Sequence, residues 1–416
     1  MNHFQEKAQD NDNEIAHVLS GLASKAGLSL AGAKIRRSSS RFCLGVEHGD
    51  YNGTQLFGVG TDRFIWMAFK PNDTGRLRLY SGNFEQDGLI DVPLNAIPEP
   101  GTAPDSWSRF PLGVAWILKK KGYKLQKGMD AVLYGNIPGG GMSRSASLTL
   151  NLLISLAEVN GIEFPSEMGI VDLAQAVENE YIGSPCGNLD QIMILFAREG
   201  MGTHYNPADR SIRHVPLGEG APDFRIMSLD TGTIRPGLEK STYKIRHTEC
   251  REMVDLCREP FGIQSLGDVR SEELFLSILA KFGASYPHLC KRLDYIYHAQ
   301  QRFERMLRAW SEGDITTVGE IFRADGLGLR DDYQISGKEL ETMCDIVRTI
   351  PGVLGERMLG GGDRGASGAL VLCESEAAVR SAVETAYPRS HPAYAKNYAV
   401  HSCRMVDGIK TLPGWE

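Results

Sequence analysis

The sequence is poor in the features that settle a function class quickly. Its eight cysteines (Cys43, Cys186, Cys250, Cys257, Cys290, Cys344, Cys373 and Cys403) show no CxxC or His-paired spacing. Neither a zinc site nor a disulfide framework is indicated, and a reducing cytoplasm is expected. No run of about 18 apolar residues occurs, and the start, MNHFQEKAQDNDNE, is polar and acidic, so neither a membrane partner nor a secretory signal is expected. The 45 basic and 52 acidic residues give a formal charge of -7, with no Lys/Arg block to track a phosphate backbone, which argues against nucleic acid. Internal repeats and low-complexity linkers are missing as well. No Lys follows the glycine-rich turn, as GxxxxGK(S/T) requires, and no GxGxxG stands before an acidic residue at Rossmann spacing. The two commonest nucleotide folds drop out.

What is present is a long chain with a substantial core. With 416 residues, 42% hydrophobic and 23% charged, it has material for more than one domain. The nearest approach to a boundary is the loop-rich stretch 205–223, containing NPADRS and PLGEGAPD, and it predicts domains over 25–215 and 216–416. In the first part, β-like runs such as QLFGVGTDRFIWMAF and MDAVLYG alternate with helical patterns, one of them an apolar stripe of Val171, Ala174, Val177 and Tyr181. Long helical patterns and another strand-Gly-strand unit fill the second part. Residues 291–313, rich in charged and long side chains, read as a solvent-facing helix without chemistry.

Four segments carry chemistry. In residues 135–156, GNIPGGGMSRSASLTLNLLISL, an apolar β run enters a glycine-rich turn and then a Leu-rich helix. Glycines let backbone approach phosphate, their N–H groups point inward, and the helix N-terminus adds about half a positive charge. Ser143 and Ser145 would then serve phosphate or Mg²⁺, although a turn with a Ser helix cap gives the same pattern without a ligand. Residues 41–53, RFCLGVEHGDYNG, gather an Arg, a Glu, a His and an Asp fit for a polyol, or form a solvated hairpin turn. Residues 184–191, SPCGNLDQ, put Asp190 at the first turn of an apolar helix, where capping is the plain alternative. Residues 357–370, RMLGGGDRGASGAL, place glycines where backbone comes close to something, tight strand packing included.

Taken in order, these segments resemble the galactokinase branch of the GHMP kinases, whose members carry an RxNxIGEHTDYNGG-like start, a PxGxGLSSSAA loop, a CGxxDQ segment and a GGGFGG-like end. VENEYIGSPCGNLDQ, STYKIRHTEC and LRDDYQIS resemble further family segments, so the similarity spans most of residues 40–375. The resemblance implies a two-domain α+β fold, with a ribosomal-protein-like N-terminal domain, a ferredoxin-like C-terminal domain and the active site between them. It also implies ATP and Mg²⁺ as cofactors and transfer of the γ-phosphate to the anomeric hydroxyl of a galactose-like sugar, by a monomer or small homo-oligomer.

Carried over position by position, Arg41 and Asp190 would flank the anomeric oxygen, and Glu47, His48, Asp50, Gly187 and Tyr243 would hold the rest of the sugar. Gly139, Gly140, Gly141, Ser143 and Ser145 would cradle the phosphates, with Ser145 contacting Mg²⁺ and Trp107 lining the adenine pocket. A carboxylate beside a guanidinium is a weak base, so positioning by Asp190 would matter more than proton removal. Glu47, implied to lie near the C6 hydroxyl, would repel a sugar with a carboxylate there. The chain departs from the family pattern in three ways. Its phosphate loop is one residue shorter, Arg144 replaces a serine, and Asp363, Arg364 and Ala366 stand where Phe, Gly and Cys are usual, which would alter a pocket wall. These departures keep open a kinase for another sugar, such as galacturonate or arabinose, and a sensor that binds galactose and ATP without turnover.

Overall fold

The computed structural model describes residues 12–234, 237 and 240–412; most of the polar start and the last four residues of the second expected domain lie outside the described residues. Among the described residues, eight strands form one sheet and four another. The first sheet contains β1 (Lys34–Gly45), β2 (Leu56–Asn72), β3 (Arg76–Ser81), β4 (Ile90–Pro93), β5 (Gly128–Gly135), β6 (Met201–Asn206) and β7 (Ser211–Pro216). The second contains β8 (Phe224–Asp230), β9 (Val353–Met358), β10 (Ala366–Leu372) and β11 (Ala399–Cys403). The main path of the first sheet runs β12-β1-β2-β5-β3-β4, where β12 (Ile409–Leu412) returns from the far end of the chain to pair with β1. The expected cut at 215/216 falls at the end of β7, before the chain enters the second sheet.

The apolar run of β2 is explained by two cores. Trp66 and Ala68 face α1 (Asp12–Ala26) through Ile15 and Leu19, whereas Ile65 and Met67 join the cluster built on α2 (Arg109–Lys120) and α3 (Arg144–Val159), including Leu150 and Leu153. Side chains alternate along a strand, so a sheet covered on both faces reads as continuously hydrophobic. α4 (Glu167–Ala176) continues into a π turn, Val177–Ile182, and the stripe Val171, Ala174, Val177 and Tyr181 is buried throughout. The short α5 (Leu189–Leu195) follows.

The later part is mostly helical: α6 (Thr242–Phe261), α7 (Glu272–Phe282), α8 (Pro287–Glu312), α9 (Ile315–Asp331), α10 (Lys338–Arg348) and α11 (Glu376–Ser390). Met343, Val347, Val379 and Val383 of α10 and α11 pack on Met227, Leu229 and Val371 of the second sheet. The expectation of a solvent-facing helix over 291–313 is corrected. The helix exists, but Leu293, Ile296, Phe303, Met306 and Trp310 of α8 form a buried stripe beneath its charged outer face. Among the described residues no helix is long and apolar enough to cross a membrane.

Candidate active site

Each sequence-predicted segment is delivered by a different element. β1 presents Arg41, and the connection to β2, with its short 3-10 turn Asp50–Asn52, buries Glu47, His48 and Asn52. A solvated hairpin is therefore not what these residues form. His48 Nδ1 meets the Tyr51 hydroxyl at 2.9 Å, Tyr51 meets the Tyr333 hydroxyl at 2.6 Å, and the His48 ring lies 5.4 Å from that of Tyr243, at the start of α6. Tyr295 of α8 donates its hydroxyl to the Glu47 carbonyl at 2.9 Å, so the helix read as inert supports the sugar motif from behind.

The Asp190 carboxylate does not cap its helix. Its Oδ1 accepts from Arg41 Nε at 2.7 Å and lies 2.6 Å from Arg41 Nη2, while Arg41 Nη1 donates to the Gly141 carbonyl at 2.8 Å. The first turn of α5 is instead met by Asp50, whose Oδ2 accepts from Leu189 N at 3.2 Å. Burial, together with the charges of Asp190 and Glu47, pushes Asp50 up to about 6 against these backbone donors. A Cβ on Gly187 would overlap the Asp50 carboxylate, which explains the glycine there.

Between β5 and α3 the glycine loop does not behave as a Ser-capped turn. Ser143 occupies the cap position with φ 60°, makes no side-chain cap bond, and buries its Oγ without a partner among the described residues. Ser145 donates to Glu178 Oε2 at 3.2 Å, and Gln191 Nε2 donates to Glu178 Oε1 at 3.2 Å. Burial first, and the Asp190 charge second, push Glu178 up to about 8. The Glu178 carboxylate beside the Ser145 hydroxyl is an oxygen pair of the kind that hard divalent cations such as Mg²⁺ take.

The fourth segment packs loop on loop. A Cβ on Gly140 would run into the Gly365 Cα, and one on Gly360 would crowd the Gly141 Cα, so the two glycine runs interlock backbone to backbone. The expectation that Asp363 and Arg364 alter the pocket wall is corrected, because neither lines the cavity. Asp363 Oδ2 accepts from Thr242 N at 2.7 Å at the head of α6, and Arg364 Nη1 donates to the Ile234 carbonyl at 3.0 Å. Arg357, fully buried, donates to Glu47 Oε2 at 3.1 Å and to the Cys43 carbonyl at 2.7 Å.

One cavity of about 400 Å³ collects these parts. Arg41, Glu47, His48, Asp50, Gly187, Asp190 and Tyr243 line it together with Gly139, Gly140, Gly141, Ser143, Ser145 and Trp107. Glu178, Phe84, Asn83 and Phe110 also line it and were not singled out from the sequence. Glu178 had a legible signal, a carboxylate next to Val177 in an otherwise apolar stripe. Phe84 and Asn83, in a loop after β3, had none.

Residues 109–198 match the family description GHMP kinases N terminal domain. Galactokinase of Streptococcus suis is 32% identical over 357 residues, covering 84% of this chain and 88% of the relative. Galactokinase of Enterococcus faecalis is 31% identical, covering 88% of this chain and 92% of the relative. The crystal structure of Lactococcus lactis galactokinase complexed with galactose superposes with a TM-score of 0.87 at 28% identity, over 96% of this chain and all of that one. Methanococcus jannaschii mevalonate kinase, at 15% identity and TM-score 0.60, shares the fold over 90% of this chain and 98% of its own. A phosphate loop, a sugar-type polar cluster and a paired Asp on one cavity thus meet near full-length similarity: the chain belongs to the galactokinase family of the GHMP kinases, with their two-domain α+β fold, and is an ATP-using sugar kinase.

Proposed function

We propose that this kinase transfers the γ-phosphate of ATP to the anomeric hydroxyl of galactose or a close neutral relative. The observation that carries the reading is Arg41, one buried guanidinium that holds the Asp190 carboxylate and the Gly141 carbonyl of the phosphate loop at once. It ties the sugar side of the cavity to the phosphate side.

Asp190, with a side chain 34% exposed, reaches the cavity while its Oδ1 is pinned by Arg41. It orients the attacking hydroxyl and accepts its proton late, because a loose phosphoryl-transfer transition state leaves the nucleophile nearly neutral. Glu47, His48, Asp50 and Tyr243 take the remaining hydroxyls, and Gly187 leaves room for Asp50. The N–H groups of the glycine loop and the N-terminus of α3 receive the phosphates, and Trp107 and Phe84 flank the base. Ser145 and Glu178 would hold Mg²⁺, which would neutralise charge on the bound phosphates. The sugar motif and the phosphate loop precede the 215/216 division and Tyr243 and Gly360 follow it, so transfer takes place across the two domains. The eight unpaired cysteines suit a reducing cytoplasm.

The test is ADP release with Mg·ATP over galactose, galacturonate, arabinose, glucose and N-acetylgalactosamine. Turnover on galactose with none on galacturonate is expected, since Glu47 opposes a second carboxylate near C6. Preference for galacturonate would overturn the substrate assignment.

A further inference from the structure

We propose that Arg144 is a phosphate ligand of the bound nucleotide, a cation that this chain has added to its phosphate loop. The proposal rests on the ATP reading above. Among the described residues three arginines line the cavity, and two of them already pair with carboxylates. Arg41 is taken by Asp190 and the Gly141 carbonyl, and Arg109 pairs through Nη2 with the exposed Asp105 at 2.7 Å, although its Nε is buried without a partner among the described residues. Among the described residues no lysine lines the cavity, whereas Glu47, Asp50, Glu178 and Asp190 all do. Asp190 and Glu47 already take the charges of Arg41 and Arg357, so a polyanion entering this space finds little of that cationic charge left over.

Arg144 is the exception. It opens α3 directly after Ser143, is solvent-exposed within the cavity wall, and makes no ion pair or hydrogen bond among the described residues. Asp230, the carboxylate whose charge reaches it, gives Oδ1 to the Gly232 N–H at 2.9 Å instead. The Arg144 guanidinium stands 5.7 Å from the centroid of Phe84, another lining residue. At that distance the ring keeps the side chain along the wall but satisfies none of its five N–H donors. An open planar fork beside loop amides and a helix N-terminus is suited to phosphate oxygens. A serine, as the family pattern has here, would offer one hydroxyl and no charge.

The experiment compares wild type with Arg144→Ser and Arg144→Lys by calorimetry, using ADP with Mg²⁺, adenosine, and galactose as separate ligands at low and high salt. Expected for Arg144→Ser is a roughly tenfold loss of ADP affinity, no change for adenosine or galactose, and a wild-type advantage that shrinks with salt. Arg144→Lys should recover part of the ADP affinity. Equal ADP affinity in wild type and Arg144→Ser would overturn the proposal, as would an equal loss for adenosine, which would make Arg144 only a wall for the base. Wild type that binds neither ADP nor adenosine would remove the ATP reading itself, a different and recognisable outcome.

Discussion

The parts of the cavity proposed to face the sugar and the nucleotide differ in how far their lining polar groups already hold one another. On the sugar side the polar groups already hold one another: Arg41 with Asp190, Arg357 with Glu47, Asp50 with the Leu189 N–H, and His48 with Tyr51 and Tyr333. On the nucleotide side Ser143 Oγ and Trp107 Nε1 are buried without partners among the described residues, and Arg144 makes no ion pair there. A buried donor left unmet costs about 1–3 kcal/mol. Unmet donors are not confined to that side, since Arg357 Nε and Nη1 behind Glu47 are also buried without partners among the described residues; the difference lies in the cavity-lining groups, which on the proposed sugar side are held by neighbours before any substrate arrives. Preorganisation serves chemistry, where small displacements matter most; open capacity serves binding.

Substitutions sharpen this contrast. Asp190→Asn keeps the shape but weakens the Arg41 pair, and is expected to lower turnover about 10²–10⁴-fold with little loss of galactose binding, read as kcat against sugar Kd. Near-normal turnover would place the chemistry elsewhere. Glu47→Gln, or Arg357→Lys behind it, should reduce kcat/KM for galactose about 10–100-fold while leaving the KM for ATP unchanged. In the double variant the losses should fall well short of adding, because Arg357 acts through Glu47. On the nucleotide side, Ser145→Ala should raise the Mg·ATP requirement about tenfold with the galactose KM held, as titration of Mg²⁺ at fixed galactose would reveal.

The smallest effect concerns Glu178 in the protein without metal or nucleotide. Its folded value of about 8 lies above the ordinary 4.5, so the folded protein retains a proton that the unfolded chain releases. The stability linked to that proton is fully present below about 4.5 and is lost as pH rises through about 8. Glu178→Gln should remove this slope, so that its melting temperature exceeds wild type by about a few degrees near pH 8 and matches it near pH 5. Parallel melting curves at both pH values would show that Glu178 is ionised throughout.

Much of the site could be read from local vocabulary. The RFCLGVEHGDYNG, GGGMSRS and CGNLDQ segments each carry residues that touch the ligand space directly, and the structure brings them onto one cavity. What stayed hidden acts from behind or from far along the chain. Arg357 meets Glu47 across 310 positions, and Tyr295 reaches the Glu47 backbone from a helix whose charged face masked its buried stripe. Asp363 looked like a change to the pocket wall and is a helix-head contact for α6 instead.

By itself, then, the sequence determined which segments would line the cavity and in what order, because glycine turns, short polar clusters and helix-start residues write their character into a few adjacent positions. It also determined that β2 would be hydrophobic along its length, though not that two separate cores would share it. Only the tertiary structure decided which groups are paired and which are not: that Asp50 and not Asp190 serves the head of α5, that Ser143 caps nothing, and that Arg144 makes no ion pair among the described residues. Those outcomes depend on partners that converge only when the two sheets and their helices close on one cavity, and pairing of that kind is a property of distance in space, which spacing along the chain does not encode.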